Sequence, residues 1–129
     1  MELIKEAIKA REKAYVPYSN FKVGAAILLK DGQVIHGANI ENASYGLSNC
    51  AERSVLFSFY SQGYQKEDIK AMAVVGDTEE PISPCGACRQ VMNELLPKET
   101  PIYLANLKGK QKKTLVTELL PYSFNKIEL

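Results

Sequence analysis

The chain has 129 residues, of which 46% are hydrophobic and 24% charged, and its formal net charge is +1. This length predicts a single domain over residues 1–129 with room for a hydrophobic core. The near-zero charge gives no electrostatic reason to expect a nucleic acid or an anionic membrane as partner. No stretch is apolar enough to span a bilayer and the first residues do not resemble a signal peptide, so we expect a cytoplasmic location.

The first half of the chain predicts a helix, a β-hairpin and a second helix. Helical spacing of apolar residues ends before Pro17, and Asp31-Gly32 is a typical hairpin turn between two apolar runs. Ser48 and Asn49 are candidate caps for the second helix. The predicted elements in order are a helix over 2–14, strands over 21–29 and 33–38, and a helix over 50–61.

The second half predicts a buried sheet with a further helix. Residues 69–75 are apolar almost throughout, as expected of a strand covered on both faces. Ser83-Pro84 is a typical helix start, since proline has no N–H to leave unpaired, and Pro97 ends that helix. Strands over 101–105 and 112–115 and a helical turn over 117–120 complete the pattern. The order of elements predicts an α/β protein with a mixed sheet covered by helices.

All three cysteines of the chain fall in one metal-ligand pattern. Cys50-Ala51-Glu52 precedes Pro84-Cys85-Gly86-Ala87-Cys88, and an odd number of cysteines without secretion favours a metal site over disulfides. Three protein ligands on zinc leave one tetrahedral position open, which is typical of a catalytic site. Predicted helix starts at Cys50 and Cys85 favour thiolates. The alternative is that the cysteines are small buried hydrophobes.

Three charged residues flank these cysteines. Glu52 is a candidate general acid–base beside a water activated by the metal, although an exposed first-turn glutamate is the alternative. Arg53 is a candidate donor to the thiolates that would withdraw negative charge from the metal, and Arg89 could share this role. The alternative for either arginine is a solvated position on a helix.

Two other polar features need interpretation. His36 is the one histidine, and as a fourth ligand it would make the zinc structural, but a packed or exposed histidine in a strand is the simpler interpretation. Asn39 and Glu41 have the two-residue spacing that directs both side chains the same way. An amide beside a carboxylate suits sugar hydroxyls, although a polar turn is the alternative.

With these motifs in place, the chain resembles the small, homotetrameric cytidine deaminases. The segments that carry the resemblance span nearly the whole chain, and no position that would carry chemistry departs from the family pattern. They are residues 14–26 (AYVPYSNFKVGAA), 39–45 (NIENASY), 50–53 (CAER), 83–91 (SPCGACRQV), 118–121 (ELLP) and Phe124.

The resemblance implies a fold, a cofactor and a reaction. The implied fold is a three-layer α/β/α arrangement with a five-stranded mixed sheet. The implied site holds one zinc ion per subunit on Cys50, Cys85 and Cys88, with Glu52 as the proton shuttle. The implied reaction is hydrolytic deamination of cytidine and 2′-deoxycytidine to uridine and 2′-deoxyuridine in pyrimidine salvage.

The resemblance also implies which residues hold the nucleoside. Asn39 and Glu41 would hold the ribose 3′-hydroxyl, and Phe21 would pack against the pyrimidine. The main chain of Ala51 and the carbonyl of Ser83 would contact the base. Residues implied to reach into a neighbouring subunit's site are Ala43, Tyr45 and Phe124.

Three alternative functions can be distinguished from this one by features of the site. A deaminase of an aminoglycosyl-cytosine antibiotic would share the zinc centre and differ at the sugar pocket. A polynucleotide deaminase would need a basic aromatic groove, which the composition does not favour. A non-catalytic zinc-stabilised module would need a fourth protein ligand, for which His36 is the natural candidate.

Overall fold

The computed structural model describes residues 1–124, and it places a five-stranded sheet between two helical layers. Short 3₁₀ helices at Tyr45–Leu47 and Lys66–Asp68 join the main elements. The main elements are α1 (Glu2–Arg11), β1 (Val23–Leu29), β2 (Val34–Ala38), α2 (Ala51–Ser61), β3 (Ile69–Gly76), α3 (Gly86–Leu95), β4 (Ile102–Asn106), β5 (Gln111–Thr114) and α4 (Val116–Leu119). None of the helices in the described range is long and apolar enough to cross a bilayer.

The sheet is mixed, with the strand order β2-β1-β3-β4-β5. Strand β1 pairs antiparallel with β2 and with β3, β3 pairs parallel with β4, and β4 pairs antiparallel with β5. A parallel pair needs a crossover connection, and α3 lies in the connection between β3 and β4. The predicted fold class, a three-layer α/β/α arrangement around a five-stranded mixed sheet, is confirmed.

Alternate residues of β3 face the two helical layers. Met72 and Val74 belong to the larger core with α2 and α3, whereas the small residues Ala71 and Ala73 belong to the core with α1. This alternation follows from the two-residue period of a strand. Both faces are buried, as the apolar composition of this strand predicts.

Several element boundaries differ from the prediction, and main-chain hydrogen bonds explain why. Helix α1 ends at Arg11 rather than at residue 14, because Tyr15 instead donates to the Asn39 carbonyl at 3.0 Å. Strand β1 begins at Val23 rather than at residue 21, since the main chain of Phe21 bonds to side chains outside the sheet. Strand β5 is shifted by one residue, and α4 spans Val116–Leu119.

The helix starts near the cysteines were also predicted imprecisely. Helix α3 begins at Gly86, so that Cys85, and not the Ser83-Pro84 pair, occupies the N-cap position. Helix α2 begins at Ala51 with Cys50 at its N-cap, and the predicted caps Ser48 and Asn49 lie outside it. At α3 the Cys85 sulfur therefore takes the place where a hydroxyl or carboxylate cap is usual, whereas Cys50 makes no capping bond with its side chain.

Replacing Gly37 by alanine should destabilise the protein, because α2 packs directly on this residue. A Cβ on Gly37 would lie 2.5 Å from the Val55 nitrogen and 2.7 Å from its Cα, and main-chain atoms cannot easily move away. We expect Gly37→Ala to lower the free energy of unfolding by about 1–3 kcal/mol, as overpacking usually does. Urea unfolding measures this change.

Gly46→Ala is the matched control for that substitution. A Cβ at Gly46 meets nothing within 4 Å, so the same chemical change should alter the free energy of unfolding by less than about 0.5 kcal/mol. Equal changes in the free energy of unfolding at both positions would show that Gly37 is not needed for the close packing of α2 against β2.

Candidate metal centre and active site

The N-terminal ends of α2 and α3 bring the three cysteines together. Cys50 occupies the N-cap position of α2, Cys85 caps α3, and Cys88 lies buried in the first turn of α3. Their sulfur atoms all lie within 4.8 Å of one another, and the Sγ atoms of Cys50 and Cys85 are 3.9 Å apart. Within residues 1–124 this is the single group of three such side chains that could hold a metal ion.

The spacing of these sulfurs fits zinc. A tetrahedral zinc ion with Zn–S bonds of roughly 2.3 Å requires ligand sulfurs about 3.8 Å apart. The distance between the Cys50 and Cys85 sulfurs meets this requirement closely, and the third sulfur is near enough to join them. Three thiolates would leave one coordination position for a water or a substrate.

The site favours the thiolate form of Cys50. Hydrogen bonds from the Cys88 thiol, from Arg53 and from Cys85 lower the pKa of Cys50 to about 5, with the bond from Cys88 contributing most. The pKa of Cys88 is correspondingly raised by its bond to Cys50 and by burial. Metal ligation needs deprotonated sulfur, so an already acidic thiol prepares the site for a cation.

Arg53 contacts the sulfur of Cys50 at the N-terminal end of α2. Its Nη2 atom donates to the Cys50 Sγ at 3.3 Å, and its pKa is raised by hydrogen bonds to Cys50 and to Cys88. The contact is the one that a charge-withdrawing role at the thiolates requires.

Replacing Arg53 should impair catalysis more than metal binding. We expect Arg53→Gln to lower kcat/KM by about ten- to hundredfold while each chain retains its metal, because this donor polarises a ligand rather than supplying one. Arg53→Lys keeps the charge and should lose less. Steady-state kinetics and metal analysis on the same samples measure both effects. Unchanged kinetics in Arg53→Gln would show that Arg53 has no role in catalysis.

Glu52 lies on the first turn of α2 with its side chain directed inward. The residue is only 4% exposed, which excludes the alternative of an ordinary solvated glutamate. Burial, reinforced by the charge of Cys50, raises the pKa of Glu52 to about 7. A carboxyl group with a pKa near neutrality can both accept and donate a proton at the working pH.

Arg89 makes different contacts from those expected of it. Its Nε donates to the Pro84 carbonyl at 2.8 Å, its Nη1 to the Leu119 carbonyl at 2.9 Å, and its Nη2 to the Ser83 hydroxyl at 2.6 Å. These bonds attach the segment before α3 to the end of α4. The guanidinium thus supports the loop that carries Cys85 and donates to oxygens rather than to a thiolate.

Residues predicted to hold the nucleoside converge through main-chain bridges. Ile40 exchanges hydrogen bonds of 3.0 and 2.8 Å with Asn49, directly before Cys50, and Tyr15 bonds to the residues on either side of Ile40. The segments that carry Phe21, Asn39 and Glu41 are therefore joined to the start of α2. In the sequence Phe21 lies 18 residues from Asn39, and Glu41 lies nine residues from Cys50, and the bridges bring these segments to one place.

Asn39 and Glu41 both bind the segment that precedes β1. Asn39 accepts a hydrogen bond from the Val23 N–H at 2.9 Å and donates to the Phe21 carbonyl at 2.8 Å. Glu41 accepts from the main-chain N–H groups of Tyr18 and Ser19 at 3.0 and 3.1 Å and from the Ser19 hydroxyl. Both side chains keep bonding capacity, since an amide has two N–H groups and a carboxylate has about four acceptor positions.

The other residues predicted to contact the nucleoside differ in how far they are exposed to solvent. Ala51 is fully buried at the start of α2, whereas Ser83 is exposed before Cys85. Phe21 is 39% exposed, and its ring tip would lie 3.4 Å from a Cβ on Gly76 at the end of β3. Residues predicted to act in a neighbouring subunit project outward: Ala43 is exposed, Tyr45 is 73% exposed and Phe124 is 52% exposed.

Sequence reasoning assigned no role to Ser19, although its hydroxyl reaches Glu41. The Tyr18-Ser19-Asn20 segment indicates a turn of the backbone, but the partner of the Ser19 hydroxyl lies 22 residues away.

His36, the candidate fourth ligand, instead contacts Glu6 of α1, with 2.8 Å between its Nε2 and the carboxylate. His36 is not part of the group formed by the three thiols.

Comparisons with known proteins agree with this geometry. Residues 1–104 match the family model for the cytidine and deoxycytidylate deaminase zinc-binding region. A cytidine deaminase from Halalkalibacterium halodurans is 65% identical over 122 residues, which cover 95% of this chain and 91% of that protein. A crystal structure of cytidine deaminase from Burkholderia pseudomallei superposes with a TM-score of 0.92 at 56% identity, covering 95% of this chain and 97% of that one.

A more distant relative bears on the antibiotic alternative. A blasticidin-S deaminase from Bacillus cereus is 32% identical over 126 residues, covering 91% of this chain and 88% of that protein. The identity is about half that to the cytidine deaminase above, so the antibiotic-type alternative is not favoured.

The prediction of a zinc-dependent enzyme of the cytidine deaminase type is confirmed. With its converging thiols, its buried glutamate and these relatives, the chain belongs to the cytidine and deoxycytidylate deaminase family.

Proposed function

We propose that this protein hydrolyses free cytidine and 2′-deoxycytidine to uridine and 2′-deoxyuridine with release of ammonia, in the salvage of pyrimidines. The observation that carries the proposal is the position of Glu52, buried on the first turn of α2 beside three converging thiols. In this proposal residues 1–129 form one catalytic domain, and Cys50, Cys85 and Cys88 hold the zinc ion.

The carboxyl group of Glu52 moves the protons in this scheme. Zinc, when bound, lowers the pKa of a water molecule and so supplies the nucleophile at neutral pH. Glu52 accepts the proton that the water loses as its oxygen adds to C4 of cytosine. It donates that proton to N3, then takes the remaining proton of the added oxygen as the C4 carbonyl forms and passes it to the amino group, which departs as ammonia when the C4–N bond breaks. A pKa of about 7 allows Glu52 to perform both transfers.

The remaining residues hold the nucleoside in position. Asn39 and Glu41 bind the ribose 3′-hydroxyl with the capacity that their bonds to the chain leave open. Phe21 packs against the pyrimidine, and the main chain of Ala51 and Ser83 contacts its polar edge. Positioning of this kind lowers the barrier by holding the reacting atoms at attack distance.

The proposed active form is a homotetramer in which subunits share their sites. Several large apolar residues around the site are exposed in the single chain, among them Tyr45 at 73%, Leu47 at 72% and Phe124 at 52%. Exposed apolar groups of this kind are typical of surfaces that a protein partner covers.

A site of three thiols also needs a reducing compartment, which supports the cytoplasm as the location of this protein.

A direct assay tests the proposed reaction. The loss of cytidine absorbance is followed with purified protein, with and without a zinc chelator, and 2′-deoxycytidine and blasticidin S are tested in parallel. We expect chelator-sensitive loss of both nucleosides and little reaction with blasticidin S. Zinc-loaded protein that leaves cytidine unchanged would refute the proposal, and preferential turnover of blasticidin S would favour the antibiotic-type alternative.

A further inference from the structure

We propose that Ser19 is a positioning residue, which aims one acceptor of Glu41 at the sugar of the substrate. This inference rests on the proposed function, in which Glu41 binds the ribose 3′-hydroxyl. It adds a residue that does not itself touch the substrate and that acts through the orientation of another side chain.

Within residues 1–124, Ser19 makes more hydrogen bonds to the Glu41 side chain than any other residue does. Its main-chain N–H donates to the Glu41 Oε1 at 3.1 Å, and its hydroxyl donates to Oε2. The Tyr18 N–H adds a second bond to Oε1 at 3.0 Å. One carboxylate oxygen is therefore held by two main-chain donors, and the other is held by the Ser19 hydroxyl.

The direction of the Ser19 hydroxyl is set by a second bond. The same oxygen accepts a hydrogen bond from the Phe21 N–H at 3.0 Å, and a hydroxyl that accepts there must place its single proton elsewhere. That proton goes to Glu41. Asn20 between them has a φ of 59°, a left-handed conformation that asparagine tolerates better than most residues and that turns the chain back toward Ser19.

Counting acceptor positions shows what this arrangement leaves for a ligand. A carboxylate has about four acceptor positions, two on each oxygen, and Oε1 already receives two main-chain bonds. The Ser19 hydroxyl occupies one position on Oε2 and leaves the other for an incoming donor. The sugar hydroxyl therefore meets an ionised, immobilised acceptor rather than a rotating side chain.

The charge state of Glu41 agrees with this role. Hydrogen bonds lower the pKa of Glu41, and the bond from the Ser19 side chain is the largest cause. An ionised carboxylate forms stronger hydrogen bonds to a hydroxyl than a neutral carboxyl group does. Loss of the Ser19 hydroxyl would free Oε2 to rotate and would remove the bond that fixes the direction of its remaining acceptor position.

The test compares Ser19→Ala with Ser19→Thr on two substrates, cytidine and 3′-deoxycytidine, with the enzyme loaded with zinc. We expect Ser19→Ala to raise KM for cytidine about tenfold with kcat nearly unchanged, since one hydrogen bond to a charged group is lost. Ser19→Thr retains the hydroxyl and should remain close to the original protein. With 3′-deoxycytidine, which lacks the hydroxyl that Glu41 binds, Ser19→Ala should have almost no effect on KM.

Other outcomes would overturn the inference. Equal rises in KM for both substrates would show that Ser19 acts on the fold or on Phe21 and not through the 3′-hydroxyl, and an unchanged KM for cytidine would remove the role altogether. Ser19→Gly provides a second hydroxyl-free variant if the alanine protein melts at a lower temperature. If the original protein does not act on cytidine at all, the proposed function fails, and this inference fails with it.

Discussion

Glu52→Gln should reduce the turnover of cytidine by about a thousandfold or more while the protein keeps its fold and its zinc. The side chain is buried beside the three thiols, and glutamine has nearly the same volume but can neither accept nor return the proton. Proton transfer by a positioned group contributes roughly a hundredfold to ten-thousandfold to an enzymatic rate, and here one group is assigned more than one transfer. Single-turnover kinetics at saturating cytidine, together with zinc analysis of the same samples, measure the effect.

Glu67→Gln is the matched control for this prediction. Glu67 lies exposed in the short 3₁₀ helix before β3, so the same chemical change should leave turnover within about twofold. Near-normal turnover by Glu52→Gln with zinc bound would show that another group moves the protons. Loss of zinc or a large fall in melting temperature would instead assign Glu52 a structural role, and the proposed mechanism would need a different acid–base residue.

Local patterns were sufficient to predict the burial of β3 and the closeness of two of the three candidate metal ligands. The apolar run in β3 predicted burial on both faces because strand geometry alternates side chains between them, and no distant contact needs to be known for that inference. The spacing of Cys85 and Cys88 likewise predicts proximity, since both residues fall within one turn of chain at a helix start. In each case the physical cause lies within a few residues.

Contacts between distant segments could not be predicted in this way. Arg89 was a candidate donor to the thiolates because it follows Cys88, but its guanidinium reaches the Leu119 carbonyl 30 residues away. That contact depends on where the end of α4 packs, which the residues around Arg89 do not encode. The bond from the Ser19 hydroxyl to Glu41 is similar, since it depends on the left-handed turn at Asn20 and on the Tyr15–Ile40 bridge.

The boundary errors near the site have a related cause. Ser83-Pro84 was predicted to begin α3 from the preference of proline for the first turn, but Cys85 is extended and the helix begins at Gly86, while the Pro84 carbonyl accepts a hydrogen bond from Arg89. Cys85 then caps the helix, and its sulfur accepts from the Cys88 N–H at 3.4 Å. The chain uses a candidate metal ligand as a cap, which general capping preferences do not anticipate.

Cys88→Ala should abolish stable zinc binding and, with it, activity. Cys88 is the buried member of the three thiols, and two remaining thiolates supply too few protein ligands for a tight zinc site. We expect the zinc content to fall to roughly a tenth of an ion per chain or less after gel filtration, and turnover to fall by about a thousandfold or more. Elemental analysis and the cytidine assay on the same fractions test this expectation.

Met92→Leu distinguishes loss of a ligand from damage to the core. Met92 lies one turn further along α3 and is equally buried, so an apolar replacement of similar volume perturbs the same helix without touching a thiol. Such exchanges usually cost less than about 1.5 kcal/mol, and zinc content and turnover should stay near those of the original protein. If Cys88→Ala instead retained one zinc ion per chain and its activity, Cys88 would be a packing residue and the metal centre would have to be built from other donors.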